Sequence, residues 1–256
     1  MITPAQITRR ADADGVAAQT VERDYVLAHV LSALARLDDE RLVFKGGTAL
    51  RYCFLDECRY SADLDLSLVD VDKREALVLI ERVLDAAKAD IDFEMLALDE
   101  GTPPRIRFVG PLGKERSIKL DLADDELVIE TRRVPLLRRW PDLNTDHELV
   151  VYSESEIAGE KLRCVIQRLQ CRDLLDLHAG FEILGVDPSE AAMRFDAKAR
   201  HRGIDPASFE ACYRVRLGDY QRRWQQELGE HLADVPHFDG IERRVTRSLR
   251  DGGLVS

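Results

Sequence analysis

The sequence predicts an α+β protein, with a mixed-sheet lobe over residues 1–150 and a helical lobe over residues 151–256. Three observations predict it. A short apolar run enters a paired glycine, Gly46-Gly47, and is followed by an alternating stretch with aspartates at 63 and 65. Strand-like alternation then returns three times between Asp92 and Leu122. From Ser153 onward the apolar spacing is almost wholly helical.

Each element has its own signal. Val21, Tyr25, Ala28, Leu31 and Leu34 recur at helical spacing and predict a helix over 17–37, ended by Asp38-Asp39-Glu40. Leu42-Val43-Phe44 reads as a short buried strand that runs into the glycine pair. Thr48 is expected to cap a helix over 49–55. A second strand is expected over 63–69, and Asp72 caps a helix to about Ala89. Strands follow at 92–96, 105–109 and 117–122, with turns at Pro103-Pro104 and at 110–113. Ser153 and Glu156 form a capping-box pattern ahead of Ile157, Leu162, Val165 and Leu169.

Composition narrows the class. The chain has 256 residues and a formal net charge of −11, which argues against a surface built wholly for nucleic acid. From Glu160 onward basic and acidic residues balance at 16 each, so the first 159 residues carry the entire acidic excess. A basic groove can therefore coexist with an acidic catalytic lobe. The five cysteines show no CxxC spacing and read as reduced thiols. No apolar run approaches the roughly 20 residues of a membrane span. Residues 1–23 lack the apolar core of a signal peptide, so a cytoplasmic location without membrane contact is expected.

The chemistry centres on Asp63 and Asp65. On a strand they share one face, while Leu64 and Leu66 share the other. Two carboxylates so placed suit divalent cations, which prefer hard oxygen ligands. Gly46-Gly47 suits a turn whose backbone N–H groups approach phosphates. Two metal ions need a third carboxylate, and Asp121 is the best candidate, on an alternating strand with Lys119 on its face. The following Asp124, Asp125 and Glu126 read as a solvated turn.

The helical lobe carries a second cluster. Lys161 adjoins an apolar position, so its stem can carry the ammonium toward a cleft and a triphosphate. Arg168 and Arg172 are expected on one helix face, as are Asp173 and Asp176. From spacing alone, a salt-bridged surface helix is the plainer reading. Arg132-Arg133, Arg138-Arg139 and Trp140 read either as an RNA grip or as a charged loop edge. Arg243, Arg244, Arg247 and Arg250 form a basic stripe opposite Val245 and Leu249. The histidines show no ligand spacing.

These elements together resemble the AbiEii toxin family of nucleotidyltransferases, with its MenT-like members. The resemblance runs from about Val21 to Leu184. It rests on Glu22-Arg23-Asp24-Tyr25-Val26, on 44–50 with the glycine pair, and on Tyr60-Ser61-Ala62-Asp63-Leu64-Asp65. It rests also on Lys119-Leu120-Asp121, Glu160-Lys161-Leu162 and the stretch from Arg168 through Leu177. Ala62 stands where the family usually has an acid, while both aspartates are intact. The resemblance implies a DNA-polymerase-β-like nucleotidyltransferase fold whose helical lobe completes the active site. It implies Asp63 and Asp65 as metal ligands, and Lys161 and Asp173 as active-site residues. It implies a toxin with an antitoxin from the same operon, and relatives that extend the 3′ acceptor end of tRNA.

On that basis Gly46, Gly47, Thr48, Ser61 and Lys161 are expected to hold a nucleoside triphosphate. Asp63, Asp65 and Asp121 are expected to hold Mg²⁺ or Mn²⁺. The expected product is a nucleotide joined to an RNA 3′ end, most simply a tRNA acceptor stem, with translation blocked. Three rivals stand beside it: transfer to a protein hydroxyl, a non-catalytic toxin that binds GTP or another nucleotide, and an Asp-x-Asp phosphohydrolase or nuclease.

Overall fold

The computed structural model describes residues 1–87 (the Ala86 side chain excepted), 91–96 and 103–256. The predicted helix end near Ala89 lies outside the described residues. The chain divides into two compact units. The first comprises Met1–Asp125 and Thr131–Val151, the second Glu126–Glu130 and Tyr152–Ser256. Among the described residues no helix is long and apolar enough to cross a membrane.

The first unit opens with helices α1 (Pro4–Asp14) and α2 (Ala18–Leu37). In α1, Thr3 and Gln6 form a reciprocal capping box and Pro4 takes the first turn. α2 buries Val21, Tyr25, Ala28, Leu31 and Leu34 as their spacing predicts. It also buries Glu22 and Asp24, because it packs against α1, α4 (Lys73–Ala87) and the sheet. Such a helix is enclosed on more than one face, and its charges need internal partners. Glu22 accepts from the Leu112 amide at 2.6 Å and from Arg116 Nε at 2.7 Å.

The sheet has seven strands among the described residues. They are β1 (Leu42–Lys45), β2 (Leu64–Leu68), β3 (Asp92–Leu96), β4 (Arg105–Val109), β5 (Glu115–Ala123), β6 (Thr131–Pro135) and β7 (Glu148–Tyr152). Their order across the sheet is β3-β4-β5-β2-β1-β7-β6. β1 and β2 are antiparallel, whereas β2 runs parallel to β5 and β1 parallel to β7. The alternation read from sequence holds: Leu64, Leu66, Ile118 and Leu120 are fully buried.

Between β1 and β2 the chain makes one short helix, α3 (Gly46–Ala49), widening into a π turn over Leu50–Phe54. The helix starts at Gly46 rather than Ala49, so Thr48 lies inside it and is not its cap. Asp72 does cap α4, accepting from the Glu75 amide at 2.8 Å.

The second unit is helical: α5 (Glu154–Gln167), α6 (Cys171–Glu182), α7 (Pro188–His201), α8 (Phe209–Leu228) and α9 (Phe238–Asp251). Its core includes Leu162, Leu174, Phe195, Tyr220, Trp224 and Leu249. α5 and α7 pack closely at Gly159, where a Cβ would lie 2.5 Å from the Arg194 Cβ. Ser153 caps α5, accepting from the Glu156 amide at 3.2 Å. The other half of the expected box is spent elsewhere. The fully buried Glu156 carboxylate meets Lys198 Nζ at 2.7 Å and accepts from the Ile129 amide at 3.1 Å.

Glu126 corrects the expectation of a solvated turn. Its side chain is buried and meets Arg163 at 2.7 Å. Lys198 donates to the Leu127 carbonyl at 2.7 Å, and Arg194 meets Glu130 at 3.0 Å. These polar ties knit residues 126–130 into the helical unit.

Candidate active site

In the first unit the strand register gathers the carboxylates. Asp63 immediately precedes β2, and Asp65 follows on the same face. Asp65 lies opposite Asp121 on parallel β5 and opposite Lys45 on antiparallel β1. A carboxylate facing a carboxylate across a ladder is destabilising unless a cation answers it. Lys119 Nζ lies 3.2 Å from Asp121 Oδ2, and the Asp121 side chain is 51% exposed. By this register Lys45, just before the glycine pair, joins the candidate residues, and the sequence reading does not name it.

Gly46 is fitted to this face. Its φ is +81°, and a Cβ there would lie 2.6 Å from Asp65 Oδ2. Only glycine supplies both that conformation and that clearance. Asp65 therefore sits directly against the backbone of the glycine turn.

Thr48 and Ser61 are both buried. The Thr48 hydroxyl donates to the Asp63 carbonyl at 2.7 Å. It has one proton, so at the 2.8 Å contact Ser61 is the donor and Thr48 the acceptor. Both hydroxyl protons are thus used inside the protein.

The stretch before Asp63 is held by a buried ion pair. Arg51 Nε meets Asp24 at 2.6 Å, and its guanidinium lies 4.1 Å from the Tyr60 ring centre. Burial works against the Arg51 charge, but Asp24 outweighs it and raises the pKa above the usual arginine value. Tyr60 donates to Asp14 at 2.5 Å; burial, then this bond, pushes its phenol up to about 12. Arg139 donates to the carbonyls of Arg51, Leu55 and Asp56. Trp140 is buried edge-on against Tyr25, and Arg133 meets Asp38 and Glu40. Arg133, Arg139 and Trp140 therefore serve the scaffold, and Trp140 presents no stacking face to RNA.

The fit to a divalent cation can be judged from the donors. Asp63, Asp65 and Asp121 are hard oxygen donors on one sheet face, and two of them are in register. Among the described residues no three Asp, Glu, His or Cys side chains are drawn into a compact ligand cluster. The set fits a hard divalent cation in donor type, while its side chains are not drawn together into a ligand cluster.

The second unit holds a different arrangement. Lys161 on α5 meets Asp173 at 2.8 Å and Asp176 at 2.6 Å, both on α6. Arg168 grips Asp173 through two bonds of 2.8 and 3.0 Å. Lys161 is 6% exposed and Asp173 fully buried, so this is an interior ion cluster and not a surface salt-bridge helix. Burial would raise the Asp173 pKa, but Lys161 and Arg168 outweigh it and hold the carboxyl below its ordinary value. One expectation fails. α5 ends at Gln167 and α6 begins at Cys171, so Arg168 and Arg172 do not share a helix face. Arg172 reaches instead to Gln170, at 3.0 Å.

The class of protein follows from the sheet together with its family: a nucleotidyltransferase. Residues 29–244 match the family described as "Nucleotidyl transferase AbiEii toxin, Type IV TA system", where TA denotes toxin–antitoxin. That span is most of the chain, and the protein belongs to this family. Membership implies a nucleoside triphosphate substrate and an antitoxin partner. Among solved structures, the MenT4 nucleotidyltransferase toxin of Mycobacterium tuberculosis H37Rv matches with a TM-score of 0.76 at 23% identity. That match covers 99% of this chain and 90% of that one. It shows that the fold is shared. An antigenic nucleotidyltransferase-like protein from Paracoccidioides brasiliensis matches with a TM-score of 0.44 at 20% identity, over 71% of this chain and 89% of that one. No curated protein sequence matches the chain significantly.

Proposed function

We propose that this toxin acts in the cytoplasm and transfers a nucleotide from a nucleoside triphosphate to the 3′ hydroxyl of an RNA, a tRNA acceptor end, and so blocks translation. The observation that carries the chemistry is the register that sets Asp65 beside Asp121, with Asp63 on the same face. Mg²⁺ or Mn²⁺ held by Asp63, Asp65 and Asp121 would activate the attacking hydroxyl and neutralise the α-phosphate and leaving pyrophosphate. Gly46 and Gly47 begin a helix, where the first N–H groups have no partner within it and can face phosphate oxygens. The family resemblance adds Lys161 and Asp173 as active-site residues, and within the helical unit Asp173 holds the lysine in place. Attack displaces pyrophosphate and leaves the nucleotide esterified to the acceptor.

The RNA acceptor rests on the family resemblance and on the balanced charge of the C-terminal part, where α8 and α9 carry many arginines. A protein hydroxyl is the second reading, and the net charge of −11 favours it, since an acidic surface repels a polyanion. The deciding experiment incubates the protein with total RNA or with cell protein, divalent cation, and each α-labelled nucleoside triphosphate in turn. Label in tRNA with release of pyrophosphate supports the proposal. Label confined to protein overturns the acceptor, and no label anywhere overturns the reaction.

A further inference from the structure

The residues leading into Asp63 have no regular structure, yet Arg59, Tyr60 and Ser61 are buried. A buried irregular segment must have its polar groups satisfied from elsewhere. Arg51 supplies part of this, donating to the Cys58 carbonyl at 3.1 Å. Thr48 supplies the rest nearest the site. Its hydroxyl donates to the Asp63 carbonyl and accepts from Ser61, so one side chain ties both ends of the Ser61-Ala62-Asp63 tripeptide. Thr48 itself is carried by the short helix that starts at Gly46, whose backbone abuts Asp65. The glycine turn and the start of the carboxylate strand are thereby locked to each other through a single hydroxyl.

We infer that Thr48 is a positioning residue for nucleotidyl transfer: it acts through Asp63 by fixing where that carboxylate enters the strand, and it does not touch the nucleotide. The inference rests on the proposal that Asp63 ligates the metal. It replaces the sequence expectation that Thr48 and Ser61 contact phosphate, because each hydroxyl proton already has an internal acceptor. Outer partners of metal ligands commonly change metal affinity by about 10–100-fold when removed.

The test compares wild type, Thr48→Val, Thr48→Ser and Asp63→Asn. Binding of Mn²⁺ alone is followed by electron paramagnetic resonance, with kcat, KM for the nucleotide and thermal melting measured in parallel. Thr48→Val keeps the side-chain shape and removes the hydroxyl. It should weaken Mn²⁺ binding about tenfold and lower kcat, with KM for the nucleotide unchanged. Thr48→Ser should restore both. Should Thr48→Val fail to fold, Ser61→Ala removes one of the two bonds and should give a smaller loss in the same two quantities. Wild-type Mn²⁺ affinity and kcat in a folded hydroxyl-deleted variant would overturn the inference. So would a raised KM with Mn²⁺ binding intact, which would return Thr48 to the phosphates. If Asp63→Asn binds Mn²⁺ as wild type does, the metal assignment itself fails and the role of Thr48 falls with it.

Discussion

The two clusters use opposite electrostatics. In the sheet unit, strand register sets Asp65 between Asp121 on one side and the buried Lys45 on the other, with Lys119 close to Asp121. In the helical unit, Lys161 and Arg168 interleave with Asp173 and Asp176 inside the protein, charge matched to charge. The first arrangement sets like charges side by side on a strand face and gains little for folding. The second is part of the fold, because removing one partner strands the others away from water. Substitutions should therefore separate the two by stability, which is kept in the sheet unit and lost in the helical one.

The largest effect is expected at Asp65. Asp65→Ala should lower nucleotide incorporation about a thousandfold, the scale for losing a group that stabilises transition-state charge. Its melting temperature should stay near that of wild type, since relief of like-charge repulsion with Asp121 offsets the carboxylate neighbour that Lys45 loses. Full incorporation, or a collapsed melt, would erase the contrast between the clusters.

Asp173→Ala should do the reverse to stability. It removes the partner of both Lys161 and Arg168, and the cost is about 3 kcal/mol or more, read from urea unfolding. A variant as stable as wild type would show that the cluster is relaxed by solvent.

These two aspartates also show how legible the protein is in its sequence. The strand face of Asp63, Asp65 and Asp121 could be read because period-two alternation with buried leucines leaves only one face for them. Their neighbour relation was harder, since strand order is a tertiary property, and only a demand for a third carboxylate pointed to Asp121. β6 was missed because it is the last strand of the sheet and mostly exposed, so its sequence Thr131-Arg132-Arg133-Val134-Pro135 shows no inward face. α1 was missed because only Ile7 and Ala11 are buried; its capping box and proline were the available signs. The break between α5 and α6 contains no Gly or Pro, and Gln170 gives no side-chain cap. Nothing local announces it, and the i,i+4 reading of Arg168 and Arg172 failed for that reason.

Acid should reach the helical cluster by a route with a fixed sign. The Asp173 pKa is lowered in the folded state, so its ionised form contributes stability above the unfolded value near 3.8. That contribution is lost as pH falls below 3.8 through the folded pKa. Urea midpoints measured from about pH 6 down to about pH 3 should drop more steeply for wild type than for Asp173→Asn. Parallel curves would place the acid sensitivity elsewhere.

The smallest effect is expected at Arg168, which sharpens the comparison from its edge. Its side chain is 45% exposed, unlike that of Lys161, although both bind Asp173. An exposed partner can be replaced by water, so Arg168→Gln should cost only about 1 kcal/mol despite removing two bonds. Lys161 stays in contact with Asp173 while also meeting Asp176, so Asp173 keeps one cationic partner. If the exposed side of Arg168 also meets the phosphates of an RNA acceptor, the same variant should weaken tRNA binding at low salt. It should also make the salt dependence shallower, by about one phosphate contact. Binding of nucleoside triphosphate should be unaffected, since the proposed triphosphate contacts lie elsewhere. Filter binding of tRNA across a salt series, with nucleotide binding alongside, separates the roles. Unchanged tRNA binding confines Arg168 to the ion cluster. A collapse of nucleotide binding would instead make it part of the nucleotide site, and the line drawn between scaffold and chemistry would have to move.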